Sequence, residues 1–394
     1  MRRENLAVIG CAVVLFVATG CGKVPTWGEL TGQSKPADQA QSVKPVATNT
    51  VKPPSPPPEP KPEEIIARFS ALGPGQKSDA DFEQLTSLKS GLEGITEINA
   101  EGSILTKNAM ANIDRLTGLK QLRLSRTKMD DAACQKIALL SSLEVLALED
   151  TQVTDIGVAA LSGLQNLKHL ELTRCQITEN GFRAIGNLPS LKTIKLESTN
   201  MDNRDLDLVC NARTLTELTL ASNPVNDFGL ASLSKLEPLE SLEISHTSIT
   251  GEGLVKAMKG GGLKHLHYLG MYACPVNDRG AKAISTIKSL ERLNFGGVPL
   301  MNDIGLDNVI KGMKSLKHIN LSNSPLIDGS GLRSLKNSKE MEVLLLDQCP
   351  KIGDPLIQIL KTIKNLKRVT LGGTAVTPRG REELQSALPE LVIN

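Results

Sequence analysis

The chain has 394 residues, of which 22% are charged and 40% hydrophobic, and this composition fits a soluble globular protein. Its 45 Lys and Arg nearly balance its 43 Asp and Glu, which argues against a nucleic-acid binder, because neutralising phosphates needs a surplus of basic side chains. Aromatic residues make up only 2% of the chain, which argues against aromatic-rich β-sandwiches and sugar-stacking lectins.

Residues 1–20 have the pattern of an export signal. Arg2 and Arg3 give a positive start, and an apolar run from Leu6 to about Ala18 follows. This run is shorter than the roughly 20 apolar residues that a membrane-spanning helix needs, so it predicts a secretory signal peptide. It ends in Val-Ala-Thr-Gly-Cys, which resembles the lipobox of bacterial lipoproteins.

The lipobox resemblance implies that Cys21 carries the lipid and becomes the mature N-terminus. It therefore predicts an exported protein that is anchored by lipid at the bacterial cell envelope. Ala18 stands where the family usually has leucine, and Gly22 follows the cysteine. By the same resemblance, the absence of aspartate at that position favours the outer membrane, if the cell has one. An ordinary secretory signal that is cut near Gly20 is the alternative.

A tether is predicted from residue 21, the lipidated cysteine, to residue 62. The segment is rich in proline, with the run Pro-Pro-Ser-Pro-Pro-Pro at 53–58, and is otherwise mostly small or polar. It has little to bury and cannot offset its ordering entropy, so we predict disorder with polyproline II stretches. Such a tether would hold the folded part of the chain away from the lipid surface.

Residues 63–94 are predicted to form a helical N-terminal cap. Phe82, Leu85 and Leu88 recur every three residues, as on one face of a short helix. The same spacing recurs in the second half of every unit that follows. The cap would therefore imitate the helical half of a repeat and cover the first one.

From residue 95 to residue 394 the chain consists of one unit repeated about twelve times. The unit is LxxLxLxxTx(I/V)TDxG(L/V)xxLxxLxx, with a period of 24 residues in most rows and up to 27 in some later rows. This pattern resembles the leucine-rich repeat family, in its 24-residue bacterial type, and its many registered copies make a strong signal. The rows begin at Ile95, Leu119, Leu143, Leu167, Leu191, Leu215, Leu239, Leu266, Leu290, Leu316, Met341 and Leu366.

The resemblance implies an α/β solenoid, a leucine-rich-repeat horseshoe like that of ribonuclease inhibitor. Its parallel strands would line the concave face and its short helices the convex face. The residues agree, because strand side chains alternate and LxxLxL therefore buries the fourth and sixth positions of each row. Pairs such as Thr154–Asp155 and Asn226–Asp227 are expected to cap the helix that follows them. The glycine two residues after each aspartate is expected to let neighbouring coils pack closely.

No catalytic or metal-binding pattern stands out, and we expect neither enzymatic activity nor a cofactor. GxSxG, HExxH and CxxC do not occur in the sequence. Residues 73–78 match a phosphate-binding loop only partly, because the glycine and the lysine are not adjacent. His265 and His267 have no obvious third metal ligand. Several cysteines occupy a position that is threonine in other rows, so we interpret them as buried thiols.

The candidate binding surface consists of the strand positions that face away from the core. These positions do not repeat, and both tyrosines of the chain are predicted to lie on one strand. Basic and amide side chains continue the same columns on the next two strands. Tyrosine and arginine are enriched in binding hot spots. The predicted partner-binding residues are Tyr268, Tyr272, Arg292, His318, Asn294, Asn320 and His246.

The favoured interpretation is a lipid-anchored cell-envelope protein that binds another protein through its concave face, without catalysis. The alternative is a structural or self-associating envelope component. It is suggested by Leu391–Asn394, which begin a thirteenth strand without a polar cap. The earlier rows carry a different, acidic surface with Glu101, Glu149 and Glu197, which is a second candidate for the contact with a protein partner.

Overall fold

The computed structural model describes residues 60–336 and 338–394. Within them, thirteen parallel strands form one sheet in which each strand pairs with the next along the chain. The predicted leucine-rich-repeat solenoid is confirmed. The strands are β1 Glu97–Asn99, β2 Gln121–Arg123, β3 Val145–Ala147, β4 His169–Glu171, β5 Thr193–Lys195, β6 Glu217–Thr219, β7 Ser241–Glu243, β8 Tyr268–Gly270, β9 Arg292–Asn294, β10 His318–Asn320, β11 Val343–Leu345, β12 Arg368–Thr370 and β13 Val392–Ile393.

Short helices follow the strands and form the other side of each coil. The α-helices are α1 Pro62–Ala71, α2 Asp79–Ser87, α3 Asp131–Ile137, α4 Asp155–Ala160, α5 Glu179–Gly186, α6 Asn203–Val209, α7 Leu254–Lys259, α8 Asp278–Ile284, α9 Asp303–Gly312, α10 Pro355–Leu360 and α11 Pro378–Ala387. Other coils have a 3-10 helix instead, at Lys107–Met110, Ile113–Arg115, Gly229–Lys235 and Ser330–Leu335, and the 3-10 turn Leu161–Gly163 directly follows α4.

The core is a continuous column of leucine and related side chains between the sheet and the helices. Each of the strands β1 to β12 buries its central residue, for example Leu122, while most of the residues on either side stay partly or fully exposed. Leu124, two positions further on, points to the same side and is also buried. The repeat therefore presents the same apolar face to both neighbouring coils, and stacking covers surface that a single coil could not bury.

The strands are short because the backbone turns at the eighth position of every row. The residue there has positive φ in all twelve rows, the left-handed conformation that ordinary residues adopt at some cost. Its carbonyl and amide leave the direction of the strand, so that the chain can turn towards the helix. These residues are Gly102, Arg126, Asp150, Arg174, Ser198, Ser222, His246, Ala273, Gly297, Asn323, Gln348 and Gly373.

The recurring aspartate caps a different helix from the one we predicted. Asp155 is the first residue of α4, but its carboxylate reaches the next coil, where it accepts hydrogen bonds from Thr178 N (2.7 Å) and from Thr178 Oγ1. Thr154 makes no side-chain cap of its own helix and instead donates from Oγ1 to Asp131 in the preceding coil (2.7 Å). The motif therefore joins neighbouring coils through its side-chain hydrogen bonds.

Close packing at the recurring glycine is confirmed. A Cβ atom on Gly157 would lie 2.5 Å from Asp131 Oδ1, and one on Gly181 would lie 2.5 Å from Asp155 Oδ1. Gly157 N also donates to Asp131 Oδ1 (2.9 Å), so the aspartate occupies the space that a larger residue would fill. The glycine and the aspartate of neighbouring rows thus form one structural unit.

Two helices precede the first strand. Ser78 accepts from Asp81 N, and the Asp81 carboxylate accepts from Ser78 N (2.9 Å), so α2 begins with a capping box. The rings of Phe69 in α1 and Phe82 in α2 meet edge to face at 5.1 Å. Asp79 accepts from Thr106 N (2.8 Å), which continues the contact between coils to this end of the stack.

The cysteines of the described residues are buried free thiols. Burial raises the pKa of the Cys134 and Cys210 thiols far above the ordinary value. Both therefore remain protonated and fill the core as small apolar side chains.

Candidate binding surface on the concave face

The structure brings five of the predicted site residues to one shallow depression on the concave face. Register places Arg292 beside both Tyr268 and His318, and Asn294 beside Asn320. The depression has a volume of about 220 Å³. It is lined by Tyr268, Arg292, Leu293, Asn294, His318, Ile319, Asn320, Val343 and Leu345.

Tyr268 is fixed by a carboxylate on the neighbouring strand. Its hydroxyl donates to Glu243 Oε2 (2.6 Å), and Ser245 N donates to Glu243 Oε1 (2.9 Å). Glu243 lies directly over Gly270, where a Cβ atom would come within 1.9 Å of the carboxylate. Burial and the hydrogen bond to Glu243 raise the pKa of Tyr268, so its hydroxyl stays protonated and keeps donating.

Arg292 stacks on the Tyr268 ring, with its guanidinium carbon 5.6 Å from the ring centroid. Cation–π contact of this kind is worth about 0.5–1 kcal/mol at an exposed site. Arg292 is exposed while Tyr268 is half-buried, so the ring supports the guanidinium from below and leaves its edge open to solvent. The contact holds the side chain in place without neutralising its charge.

Amide and apolar groups form the rest of the depression. Asn320 Nδ2 donates to Asn294 Oδ1 (2.9 Å), and Asn320 Oδ1 accepts from Ser322 N (2.9 Å). Val343 and Leu345 on β11 are partly exposed beside them. His318 Nε2 lies 3.8 Å from Glu342 Oε2, at the side of the strand column. The surface therefore combines polar donors, an aromatic ring and an apolar side.

The remaining two candidate residues form a separate cluster. The prediction that Tyr272 lies on the same strand as Tyr268 is wrong. Tyr272 follows the strand, because β8 ends at Gly270 and Ala273 has positive φ. Its ring lies 5.4 Å from the ring of His246, and its hydroxyl accepts from Asn323 Nδ2 (3.2 Å). The two residues flank the far ends of the strands and do not line the depression.

Sequence reasoning missed Glu243 and the apolar pair on β11. Glu243 is paired in register with Gly270 and diagonal to Tyr268. A glycine between two outward-facing tyrosines, next to a carboxylate on the preceding strand, is the signal that could have revealed this contact. Val343 and Leu345 are the signal for the apolar side, since they are two large apolar side chains on one strand in columns that are mostly polar.

The concave face is acidic before β8. Most cations there are paired, as in Lys195 with Glu171 (2.8 Å) and Arg123 with Glu97 (3.1 Å). Partial burial and repulsion from Glu243 and Glu149 raise the pKa of Glu197. The carboxylates that face outward are Glu97, Glu101, Glu149, Glu171, Glu197, Glu217 and Glu243.

Two kinds of feature are absent from residues 60–336 and 338–394. No group of three or more His, Cys, Asp or Glu side chains there could hold a metal ion. No helix in this part of the chain is long and apolar enough to span a membrane. The predicted lipidation residue, Cys21, lies outside the described residues.

Family models agree with the repeat. A model described as leucine rich repeat matches residues 141–201, and a second of the same description matches 211–234 and 235–256. The chain is a leucine-rich repeat protein. Domains of this family are scaffolds for protein–protein interaction and are typically not catalytic. No curated protein shows significant similarity to this leucine-rich repeat protein.

A solved structure shares the architecture of this leucine-rich repeat protein. The crystal structure of an internalin from Listeria monocytogenes aligns with a TM-score of 0.55 at 18% identity, over 84% of this chain and 93% of that chain. A leucine-rich repeat protein from Leptospira interrogans aligns with a TM-score of 0.45 at 18% identity, over 80% and 86% of the two chains. What the internalin and this chain have in common is the fold.

Proposed function

We propose that this leucine-rich repeat protein is a non-catalytic, lipid-anchored protein of the bacterial cell envelope that binds another protein through its concave face. The observation that carries the proposal is the contrast between a strictly repeating core and the non-repeating surface around Tyr268 and Arg292. A surface needed only for solubility would not require Tyr268 to be fixed by Glu243 over a glycine. Tyrosine and arginine held in this way lose little freedom on binding, which favours affinity.

The protein-binding part is tested by affinity capture from envelope extract with the full chain in mild detergent. The test variant carries Tyr268→Ala, Arg292→Ala and His318→Ala. The matched control carries Arg213→Ala, Glu237→Ala and Lys264→Ala, in loops that lead into β6, β7 and β8. We expect one envelope protein to be captured by the original chain and the control but lost with the test variant. Equal capture by a folded test variant would refute this location of the site.

The lipid anchor is proposed from the sequence Val-Ala-Thr-Gly-Cys at 17–21. Acyl chains contribute about 0.8 kcal/mol per buried CH₂, so a multiply acylated cysteine anchors the chain without a membrane-spanning helix. Cys21→Ser is expected to abolish incorporation of a palmitate analogue and to move the protein from the membrane fraction to the soluble fraction. Cys134→Ser, at a buried thiol, is the control. Unchanged labelling of Cys21→Ser would contradict lipidation at this residue.

Self-association is the alternative function. Within the described residues β13 pairs only with β12, and Val392 is half exposed. An open strand edge can pair with another chain. Light scattering over a hundredfold concentration range would show a mass that rises with concentration for the original chain. The Val392→Lys variant would have a lower mass than the original chain at the same concentration. A constant monomer mass, corrected for bound detergent, would exclude this alternative.

A further inference from the structure

We infer that the depression between β8 and β11 receives an acidic side chain, Asp or Glu, from an exposed segment of the partner protein, next to an apolar residue of the same segment. This inference rests on the proposed protein-binding function and deepens it by giving the chemistry of the contact. Three observations support it: the charge of the residues that line the depression, the unpaired guanidinium of Arg292, and the size of the depression.

The depression has an unpaired arginine and no acid of its own. None of the residues that line it is Asp or Glu. Arg292 makes no ion pair or hydrogen bond through its guanidinium within the described part of the chain, whereas Arg123, on the same face, pairs with Glu97. Asn294 uses its amide oxygen to accept from Asn320 and Gly296. Its side chain also interacts with the Tyr268 hydroxyl, so the unpaired donors of the depression are those of the Arg292 guanidinium.

Arg292 is arranged for a planar anion. Its guanidinium carbon lies over the Tyr268 ring and the side chain is exposed, so its N–H groups are accessible, and an arginine can bind a carboxylate with two parallel hydrogen bonds. Glu243, the carboxylate that holds Tyr268, is already engaged at both oxygens by Tyr268 Oη and Ser245 N. A partner carboxylate would therefore meet a positive charge that the protein itself leaves unpaired.

The size and the apolar side favour a side chain rather than a small molecule. Pockets for drug-sized ligands usually measure about 300–1,000 Å³, and this depression has about 220 Å³. Val343 and Leu345 line it on the side away from Tyr268. An aliphatic residue beside the acid would cover them as the carboxylate reaches Arg292.

A displayed library of random twelve-residue peptides, selected on the full chain in mild detergent, tests the inference. We expect the selected peptides to carry Asp or Glu next to an aliphatic residue. The best peptide is then synthesised with an amidated C-terminus, beside a twin in which the acid is replaced by its amide. Hydrogen bonds between charged groups are strong enough for the twin to bind at least about tenfold more weakly.

Variants of the protein locate the contact. Arg292→Gln is expected to lower the affinity for the acidic peptide at least tenfold and to leave the affinity for the amide twin almost unchanged. The effects of the protein substitution and of the peptide substitution are then not additive. Arg213→Gln, an exposed arginine in a loop leading into β6, should leave both affinities unchanged. Arg292→Lys keeps the charge but loses the planar fork, and it should give an intermediate affinity. A thermal melt of each variant confirms that it is folded.

Several outcomes would overturn the inference. One is a selection that yields no peptides, or only peptides without an acidic preference. Another is that the acidic peptide and its amide twin each bind Arg292→Gln as tightly as they bind the original chain. A third is binding that requires a free C-terminus on the peptide. If envelope capture nevertheless depends on the concave face, the proposed function stands and only the acidic contact is wrong. If acidic peptides bind through Arg292 but no envelope protein is captured, the acidic preference of the depression stands and the proposed envelope partner is refuted.

Discussion

At the scale of the residue, the left-handed eighth position of each row has a measurable energetic consequence. Gly102 has a φ of 65°, and a Cβ atom there would meet nothing within 4 Å. Gly102→Ala therefore adds backbone strain without a clash, and we expect it to cost about 1 kcal/mol of unfolding free energy. A lower urea midpoint would show this.

Gly163→Ala is the matched control. Gly163 also has open space around it, but its φ is not in the left-handed region. The added methyl group should be neutral or slightly stabilising, because alanine restricts the unfolded chain more than glycine does. Equal effects of the two substitutions would mean that the left-handed position is not the source of the loss.

Glu197 gives a prediction with a pH dependence. Its pKa is raised in the folded state by partial burial and by repulsion from Glu243 and Glu149. The protonated form is therefore favoured by folding, and this stabilisation is present below the ordinary glutamate pKa and is lost as the pH rises through the raised value. Glu197→Gln should raise the thermal midpoint at pH 7 and give no such gain at about pH 3, below the usual value near 4.3.

Glu144→Gln should have the opposite effect on stability. Its hydrogen bond with Lys168 lowers the pKa of Glu144, so the carboxylate contributes stability above the ordinary value and loses it in acid. The substitution is expected to lower the midpoint at pH 7 and to have little effect at about pH 3. Melting both variants at both pH values separates repulsion at Glu197 from a general response to loss of a carboxylate.

At the scale of the element, the aspartate that links neighbouring coils should stabilise the stack. Asp131 accepts from Thr154 N (2.8 Å), Gly157 N (2.9 Å) and Thr154 Oγ1 (2.7 Å). Asp131→Ala would leave donors at the start of α4 without a partner, at a cost of about 1–3 kcal/mol. Urea unfolding measures the loss, and Asp114→Ala, at an exposed site with no side-chain hydrogen bond in the described residues, is the control.

Asp131→Asn should be milder than Asp131→Ala, because asparagine performs the same task elsewhere in the stack. Asn203 Oδ1 accepts from Asn226 N (3.1 Å) at the corresponding position of a later coil. An equal loss for both variants would show that the negative charge is the essential feature. No loss for either would refute the role of this link in stability.

The strands and helices could be predicted from the sequence wherever their contacts repeat from coil to coil. Strand positions and the inward leucines follow from alternation and from the 24-residue period. The cap by the recurring aspartate was assigned to the wrong helix, because Asp155 is nearer in space to Thr178 than sequence distance suggests. At the preceding position, Asn277 and Asn302 do cap the helix that follows them. The choice between α-helix and 3-10 helix also escaped prediction, since α5 and the 3-10 helix Gly229–Lys235 carry the same apolar spacing.

For the candidate site, sequence register was enough to bring Tyr268, Arg292 and His318 into one column. It was not enough to show that Glu243 turns over Gly270 to meet Tyr268, because that depends on a side-chain rotamer. Sequence register also could not show that Tyr272 lies outside the depression. The left-handed residue that follows is Ala273, and an alanine, unlike a glycine, does not indicate a turn.

At the scale of the whole molecule, the acidic and the basic parts of the concave face lie on different coils. Each coil contacts mainly its neighbours, so distant parts of such a stack are expected to be nearly independent. The depression depends on β7 to β11. Its geometry should therefore survive changes made several coils away.

Deletion of residues 143–166, one whole coil that includes β3, tests this independence. After the deletion Asp131 would face Thr178, which already donates to Asp155, and Gly181, which already packs against it. Arg123 would face Glu171 on the next strand, an opposite charge. We therefore expect a folded protein, somewhat less stable, with the helical and strand signals of the shortened stack in circular dichroism.

The same deletion variant should bind a selected acidic peptide within about threefold of the original affinity, because β7 to β11 keep their neighbours. Deleting half a coil, residues 143–154, is the control, since it removes β3 but leaves α4 without a strand to pack against and should prevent a regular stack. A folded whole-coil deletion that loses peptide binding would mean that the curvature of the entire stack, and not local contact, shapes the depression.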